Sequence, residues 1–296
     1  MSGAREGAAG AHRSGEDVQV FLEALRAVEA VRDEEWMAGL DERKRIELVF
    51  HDKHRDRQKE QALDKDTFDK LYGNKKYYST TELSKEYLDG WIAREARGGI
   101  FLDYACGNGA YAIKAAKAGA ALSVGIDISP VSVSNARQDA EREGVAGNTR
   151  FLQADAEDTR LPAGSVDRVL CNGMLHHLDL SRAFPELERI LAPGGRILAV
   201  EALDYNPAIR LYRRLTPDMR TEWEKNHILD LGDLEYARRF FTLGEVRYWH
   251  ITSILAPHAR ALLPVLNRID RVLTRIPLVR LMAWIFTFEL VKAERL

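Results

Sequence analysis

An acidic residue and two glycines stand together at the end of an apolar run in residues 101–112, FLDYACGNGAYA. Gly107 and Gly109 predict a tight turn between a strand and a helix, because glycine lets a ligand approach the backbone where a side chain would collide. Ligands of open α/β sheets lie beyond the carboxyl ends of the strands. The segment therefore predicts a ligand-binding loop at that edge of a sheet.

The glycine spacing alone leaves two classes of nucleotide ligand open. Gly107, Gly109 and Ala112 also satisfy the loose G-x-G-x-x-G/A pattern of nicotinamide and flavin enzymes. Asp127 ends the next apolar run and suits a ribose diol in either class. Asp103 lies four residues before the first glycine, where it can meet a cationic amine. A dinucleotide has no ammonium group there, whereas the methionine part of S-adenosylmethionine does.

A third acidic residue favours S-adenosylmethionine as well. Asp155 ends another apolar run in LQADAED and is placed to accept a hydrogen bond from an amino group such as that of adenine. Each aspartate alone is as readily explained as a helix or turn cap. Capping is a poor explanation of all three in this order and at these spacings.

The elements that must position these aspartates are short apolar strands alternating with helices. We predict strands at 99–105, 121–129, 150–155, 166–171 and 196–202. Such alternation implies right-handed crossovers and a parallel sheet covered on both faces. The fold class is therefore a doubly wound α/β fold.

Outside this alternation the chain is mostly helical. Residues 203–243 and 257–277 are expected to be helical insertions, and strands are expected at 245–255 and 282–293. The unit 96–296 would then be one domain.

The N-terminal part is expected to be a separate helical segment. Residues 1–14 read as a disordered tail, and 15–95 as a helical cap, lid or oligomerisation segment. The mixed charges of 41–66 are expected to form a solvated helix face. An apolar stripe precedes them, made of Val18, Phe21, Leu22, Leu25 and Val28. This stripe needs a partner, either the acceptor pocket or a second subunit, and we favour a homo-oligomer.

Five motifs in order carry a resemblance to a known family. They are DYACGNG, VGIDIS, LQADAEDTRLP, VDRVLCNGMLHHL and LERILAPGGRILAVEAL. Together they resemble the class I S-adenosylmethionine-dependent methyltransferases over roughly residues 70–205. The resemblance implies a seven-stranded, mostly parallel Rossmann-like sheet with an antiparallel edge strand, and S-adenosylmethionine as the cofactor.

The resemblance also implies roles at the methionine end of the cofactor. The backbone around Gly107 and Gly109 would pack against the methionine moiety, with Asp103 near its amine. Asn172, just past the fourth strand, would border both the methionine end and the acceptor.

Three further residues would bind the nucleoside by the same resemblance. Asp127 would bind both ribose hydroxyls, Asp155 the adenine amino group, and the Ala156 amide a ring nitrogen.

Two histidines follow the fourth strand, beside the expected acceptor position. His176 or His177 could take a proton from a hydroxyl or amine during transfer. Both could equally be loop packing. The sulfonium is already a strong electrophile, so alignment and desolvation without a base remain an alternative.

Acceptor-side candidates lie among the additions around the sheet. Tyr77 and Tyr78 suit a lid or the acceptor side, or simply a core. Four arginines could hold an anionic acceptor, or pair with Glu222 and Glu224 on a solvated face. These arginines are Arg210, Arg213, Arg214 and Arg220.

We expect no metal site. His51 and His54 lie three residues apart and could offer two ligands, but no acidic or cysteine cluster accompanies them in the sequence.

Composition narrows the class of protein. Lys plus Arg number 43 against 45 for Asp plus Glu, which argues against a nucleic-acid binder. The sequence has no apolar run long enough for a transmembrane helix and no signal-peptide core. The cysteines, Cys106 and Cys171, number only two, so a cytoplasmic location is expected.

Three functional hypotheses follow. The first is methyl transfer to an oxygen, nitrogen or carbon atom of a small molecule, such as a specialised metabolite. The second is a peripheral membrane methyltransferase acting on a quinone, lipid or lipid-linked glycan and docked through 259–276, with arginines toward headgroups and leucines toward acyl chains. The third is a non-catalytic cofactor-binding subunit.

Overall fold

A computed structural model of the chain describes residues 12–30, 33–62 and 64–294. Most of the predicted disordered tail, residues 1–11, lies outside these ranges. The helices are α1 (Gly15–Glu29), α2 (Asp33–Gly39), α3 (Glu42–Arg55), α4 (Arg57–Gln61), α5 (Lys65–Tyr72), α6 (Lys75–Tyr78), α7 (Glu82–Glu95), α8 (Ala110–Lys117), α9 (Pro130–Arg142), α10 (Leu180–Ile190), α11 (Pro207–Leu215), α12 (Glu222–Asn226), α13 (Leu231–Ala237) and α14 (Leu263–Leu273). The strands are β1 (Ile100–Tyr104), β2 (Leu122–Asp127), β3 (Thr149–Gln153), β4 (Val166–Asn172), β5 (Leu191–Ala202), β6 (Thr242–Trp249) and β7 (Ile285–Val291).

The seven strands form one sheet in the order β3-β2-β1-β4-β5-β7-β6. The first five pair in parallel, and β7 runs antiparallel to both β5 and β6. Every residue of β1 and β2 is buried, which suits a parallel sheet covered on both faces. The predicted doubly wound fold with an antiparallel pair at one edge is confirmed.

Helices cover both faces because neighbouring strand residues point in opposite directions. Leu102 packs in a core with Phe184 of α10. Phe101 packs in a second core with Trp91 of α7. The order of β1, β2 and β4 then brings their carboxyl ends to one edge of the sheet.

The late strand predicted at 245–255 was wrong at its C-terminal end. β6 ends at Trp249, and His250 adopts a left-handed φ of 65° that turns the chain out of the sheet. Residues Ser253–His258 then form a 3₁₀ helix. Ile251 and Ile254 are partly buried against the two cores, whereas Leu255 is exposed.

The apolar stripe of α1 packs against the chain's own sheet. Phe21 and Leu25 are 3% and 1% exposed and join the same core as Val124 and Leu152. The stripe therefore covers neither the acceptor pocket nor a second subunit. Our reason for favouring a homo-oligomer was wrong, since the partner of this stripe is β2 and β3.

Among the described residues, no helix has both the length and the apolar character needed to cross a bilayer.

Candidate active site

The loop after β1 depends on its glycines. Gly109 has a φ of 75°, and a Cβ there would lie 2.6 Å from the Phe151 ring. Gly107 has a φ of 52°, and its N–H donates to Asp127 Oδ2 at 2.8 Å. Asp127 Oδ1 accepts from the Ser129 N–H at 2.9 Å. One carboxylate at the end of β2 thus fixes the loops after both strands, where the sequence predicts a ligand.

Asp103 lies beneath this loop. Its side chain is buried, and Oδ2 accepts from the Ala112 N–H at 3.1 Å, in the first turn of α8. Burial raises the pKa of Asp103 to about 8. The carboxyl group is therefore largely protonated at neutral pH until a cation approaches it.

A cleft opens beyond the carboxyl ends of the strands. Four of the seven residues predicted to bind the cofactor line it: Asp127, Asp155, Ala156 and Asn172. The cavity measures only about 90 Å³. Ligand pockets usually span about 300–1,000 Å³, so the described conformation leaves little free space at this position.

The cleft is narrow because α3 lies across it. Lys44 Nζ lies 2.5 Å from Asp155 Oδ2 and 3.0 Å from Glu157 Oε2. The Arg55 guanidinium lies against Gly107. One face of α3 is solvated as predicted, but Lys44 on the cleft side is only 8% exposed. Sequence reasoning missed these contacts because they join positions more than fifty residues apart.

Two larger cavities continue from the cleft. An inner cavity of about 420 Å³ shares Asn172, Gly173 and His177 with the cleft. An outer cavity of about 320 Å³ shares Tyr78 and His176 with the inner one. The predicted histidines thus line the space next to the methionine end of the cleft.

His176 is held by a buried carboxylate. Its Nδ1 lies 2.7 Å from Glu201 Oε2, while Glu201 Oε1 accepts the backbone N–H groups of Met174 at 2.8 Å and Leu175 at 2.7 Å. An ionised carboxylate only accepts, so His176 donates from Nδ1. The lone pair of its Nε2 is then left free to accept a proton. Sequence reasoning missed Glu201, although it ends the fifth strand in AVEAL.

The charge environment of His176 suits a base. Burial alone would lower the pKa of His176, but the charge and hydrogen bond of Glu201 outweigh burial and raise it. Its Nε2 lies 3.9 Å from Glu224 Oε1.

His177 has a different environment. Burial lowers the pKa of His177, and the neighbouring His176 lowers it further. Its Nδ1 lies 3.0 Å from Glu47 Oε2, on α3. His177 therefore acts as a contact between the loop after β4 and the helix that covers the cleft.

His51 and His54 do not share a partner. His54 Nδ1 donates to the Phe50 carbonyl at 2.7 Å, whereas His51 Nε2 lies 3.5 Å from Glu47 Oε2. Glu47, His51 and His177 bring potential ligand atoms within 4.8 Å of one another. Thr221 Oγ1 donates to the remaining oxygen of Glu47 at 2.5 Å.

The two tyrosines lie on the acceptor side. Tyr78 packs on Trp284 with ring centroids 4.9 Å apart and lines both the inner and the outer cavity. Tyr77 lines the outer cavity, and its hydroxyl lies 3.5 Å from His258 Nε2. Neither lines the narrow cleft, which is covered by α3 instead.

Two of the four candidate arginines reach the outer cavity. Arg213 and Arg220 line it, and each is paired: Arg213 with Asp204 at 3.0 Å, Arg220 with Glu224 at 3.3 Å. The expected pairing with Glu224 is found, whereas Glu222 pairs with a lysine. The neutralised arginines leave this cavity largely apolar.

Comparison with known families identifies the kind of domain that carries the site. Residues 102–199 match the family model described as a methyltransferase domain. Over residues 102–199 the chain carries a methyltransferase domain. The match covers the strands and loops that hold Asp103, Asp127 and Asp155 as well as His176.

The curated relatives that match the methyltransferase domain are named for more than one acceptor. Ribosomal protein L11 methyltransferase of Photobacterium profundum is 31% identical over 152 residues, 49% of this chain and 49% of that protein. Demethylmenaquinone methyltransferase of Thermus thermophilus is 39% identical over 112 residues, 37% of this chain and 50% of that protein. The chain spans about half the length of the curated relatives it matches.

A solved structure shares the fold of the methyltransferase domain. Geranyl diphosphate methyltransferase in complex with GPP and sinefungin has a TM-score of 0.54 and 16% identity, covering 70% of this chain and 76% of that one. The helix α3 and most of the outer cavity lie outside residues 102–199. The parts that would select the acceptor therefore lie mainly outside the match.

Proposed function

We propose that this protein transfers the methyl group of S-adenosylmethionine to an oxygen, nitrogen or carbon atom of a small molecule bound in the inner cavity. The observation that carries the proposal is the Glu201–His176 pair at a cavity that meets the cofactor cleft beside Asn172. A specialised metabolite is the acceptor class that fits a cavity of about 420 Å³.

The cleft suits the cofactor chemically. The Asp127 carboxylate lines the cleft, where it would accept hydrogen bonds from both ribose hydroxyls. Asp155 and the Ala156 amide would hold the adenine edge, with Asp103 under the methionine amine. The residues 15–95 act as a cap in this proposal, since α3 must shift before the nucleoside can enter.

S-adenosylmethionine, when bound, supplies an electrophilic methyl group. His176 Nε2 takes the proton from an acceptor hydroxyl or amine as that atom becomes nucleophilic. Glu201 holds the imidazole in the Nδ1–H tautomer and stabilises its protonated form. Closure of α3 excludes water from the cleft and strengthens these interactions.

The two cavities lined by aromatic side chains favour a small acceptor over a protein. One relative is named for ribosomal protein L11 and another for demethylmenaquinone. The inner and outer cavities lie within one chain and are lined by aromatic residues such as Tyr78 and Trp284. Such walls suit a ring or an apolar chain better than a folded protein surface.

The test is methyl transfer with a labelled cofactor and a panel of small hydroxylated and amine acceptors. His176→Ala should lower kcat roughly 10²–10⁴-fold while S-adenosylhomocysteine still binds. The matched variant His177→Ala should lower kcat less. A loss under tenfold in both would show that alignment alone drives the transfer. Absence of any turnover while the cofactor binds would favour a non-catalytic subunit.

A further inference from the structure

An apolar stripe on the outside of α14 and the residues that flank it has no partner among the described residues. Its side chains are between 41% and 61% exposed and recur at alternating intervals of three and four residues. They are Leu262, Val265, Ile269, Val272 and Ile276. A soluble helix normally turns such a stripe toward its own core.

The opposite face of α14 is polar and fixed to the domain. Asp270 is fully buried and accepts hydrogen bonds from the Thr252 N–H at 2.7 Å and the Ser253 N–H at 3.0 Å. Asn267 Nδ2 donates to Glu82 Oε2 at 3.0 Å. These contacts set the rotation of the helix about its axis. The exposed stripe is therefore held outward by the fold.

The exposed charged residues around the stripe are all arginines. Asp270, which is buried, is the only acidic residue between positions 256 and 288. Five exposed arginines lie in the same segment, and none forms an ion pair with another described residue. They are Arg260, Arg268, Arg271, Arg275 and Arg280.

The outer cavity reaches the surface next to this stripe. Leu255 lines that cavity and is 62% exposed, and the 3₁₀ helix that carries it contacts α14. His176 also lines this cavity. An apolar chain could thus extend from the surface toward the base.

We propose that the α14 surface, residues 255–280, docks on a membrane that contains anionic lipids. The apolar stripe would enter the acyl boundary and the arginines would meet the headgroups. A second copy of this chain is a poorer occupant, because facing two such surfaces would bring ten unpaired arginines together. That an acceptor with an apolar chain enters from this surface rests on the proposed function.

The experiment is co-sedimentation of the full chain with phosphatidylcholine vesicles, prepared with and without phosphatidylglycerol. Binding should require phosphatidylglycerol and weaken as ionic strength rises. Arg268→Gln and Arg271→Gln should each weaken binding about fivefold. Val272→Asp should weaken it further, because a charge would enter the apolar boundary.

The matched control is Val20→Asp, at 63% exposure on α1 against 61% for Val272. It should bind vesicles like the unaltered protein. Equal loss in both variants, or no vesicle binding by the unaltered protein, would overturn the proposal. A dimer in light scattering that Val272→Asp dissociates would also overturn it. Calorimetry with S-adenosylhomocysteine on each variant keeps failure of docking separate from failure of the cofactor site.

Discussion

Lys44 Nζ lies 2.5 Å from Asp155 Oδ2, so a helix outside the matched methyltransferase region occupies the carboxylate predicted to bind adenine. The adenine amino group and the lysine would compete for one oxygen. The pair is partly buried, with side-chain exposures of 10% and 14%. We therefore expect cofactor binding to depend on the position of α3.

Lys44→Gln should tighten S-adenosylhomocysteine binding about fivefold, because the ion pair with Asp155 no longer has to be broken. Calorimetry measures this change. Lys114→Gln removes a lysine–aspartate pair on the exposed surface and should leave affinity unchanged. Weaker binding by Lys44→Gln would mean that the lysine itself contacts the bound cofactor.

Asp127→Ala should weaken S-adenosylhomocysteine binding by about 2–3 kcal/mol, because two hydrogen bonds from the ribose to a charged group are lost. The free Gly107 and Ser129 N–H groups would also loosen both loops. Asp89→Asn, on the surface of α7, is the control. Unaltered affinity in Asp127→Ala, or tight binding of NADH by the unaltered protein, would contradict the assigned cofactor.

Glu201→Gln tests whether this residue positions His176. The amide would donate to His176 Nδ1 and leave the proton on Nε2, the wrong tautomer for a base. We expect a lower kcat with little change in KM. Loss of the negative charge would also lower the pKa of His176, so the acid limb of kcat should move to lower pH. An unchanged pH profile would mean that Glu201 does not position His176 and only holds the loop after β4.

The strands and their terminal aspartates could be predicted because their signals are local. Buried parallel strands are mostly apolar, and Asp127 is the last residue of β2 while Asp155 lies two residues beyond β3. The role of Lys44 could not be predicted, since its partner lies 111 positions away. Glu201 was missed for the same reason, because its bond to His176 depends on the pairing of β4 with β5.

Amphipathic patterns predicted buried faces but not their partners. The stripe of α1 was assigned to a lid or a subunit interface, yet it covers the sheet. The pattern in 250–255 suggested a strand, yet the positive φ of His250 ends β6. In both cases tertiary packing decides between structures that satisfy the same local pattern.

Phe21→Ala should lower the free energy of unfolding by about 3 kcal/mol, because it leaves a cavity between α1 and the sheet. Urea denaturation measures it. Val20→Ala lies next to it but is 63% exposed and should cost less than about 0.5 kcal/mol. Similar values for both variants would mean that α1 does not pack on the sheet in solution.

Stability should fall as pH drops below 6.5, because His250 is buried as a neutral ring between Ser84 and Ser253, each 2.9 Å away. Burial lowers the pKa of His250 to about 4, so the unfolded chain binds the proton more readily. The stabilisation that comes from the lowered pKa of His250 is complete above pH 6.5 and is lost as the pH falls toward 4. At pH 5 the free energy of unfolding is lower by about 2 kcal/mol.

Urea midpoints at pH 7 and pH 5 should therefore differ less in His250→Gln than in the unaltered protein. The control is His258→Gln, which changes an exposed histidine and should behave like the unaltered protein. The same pH dependence in all three proteins would show that other groups control acid stability.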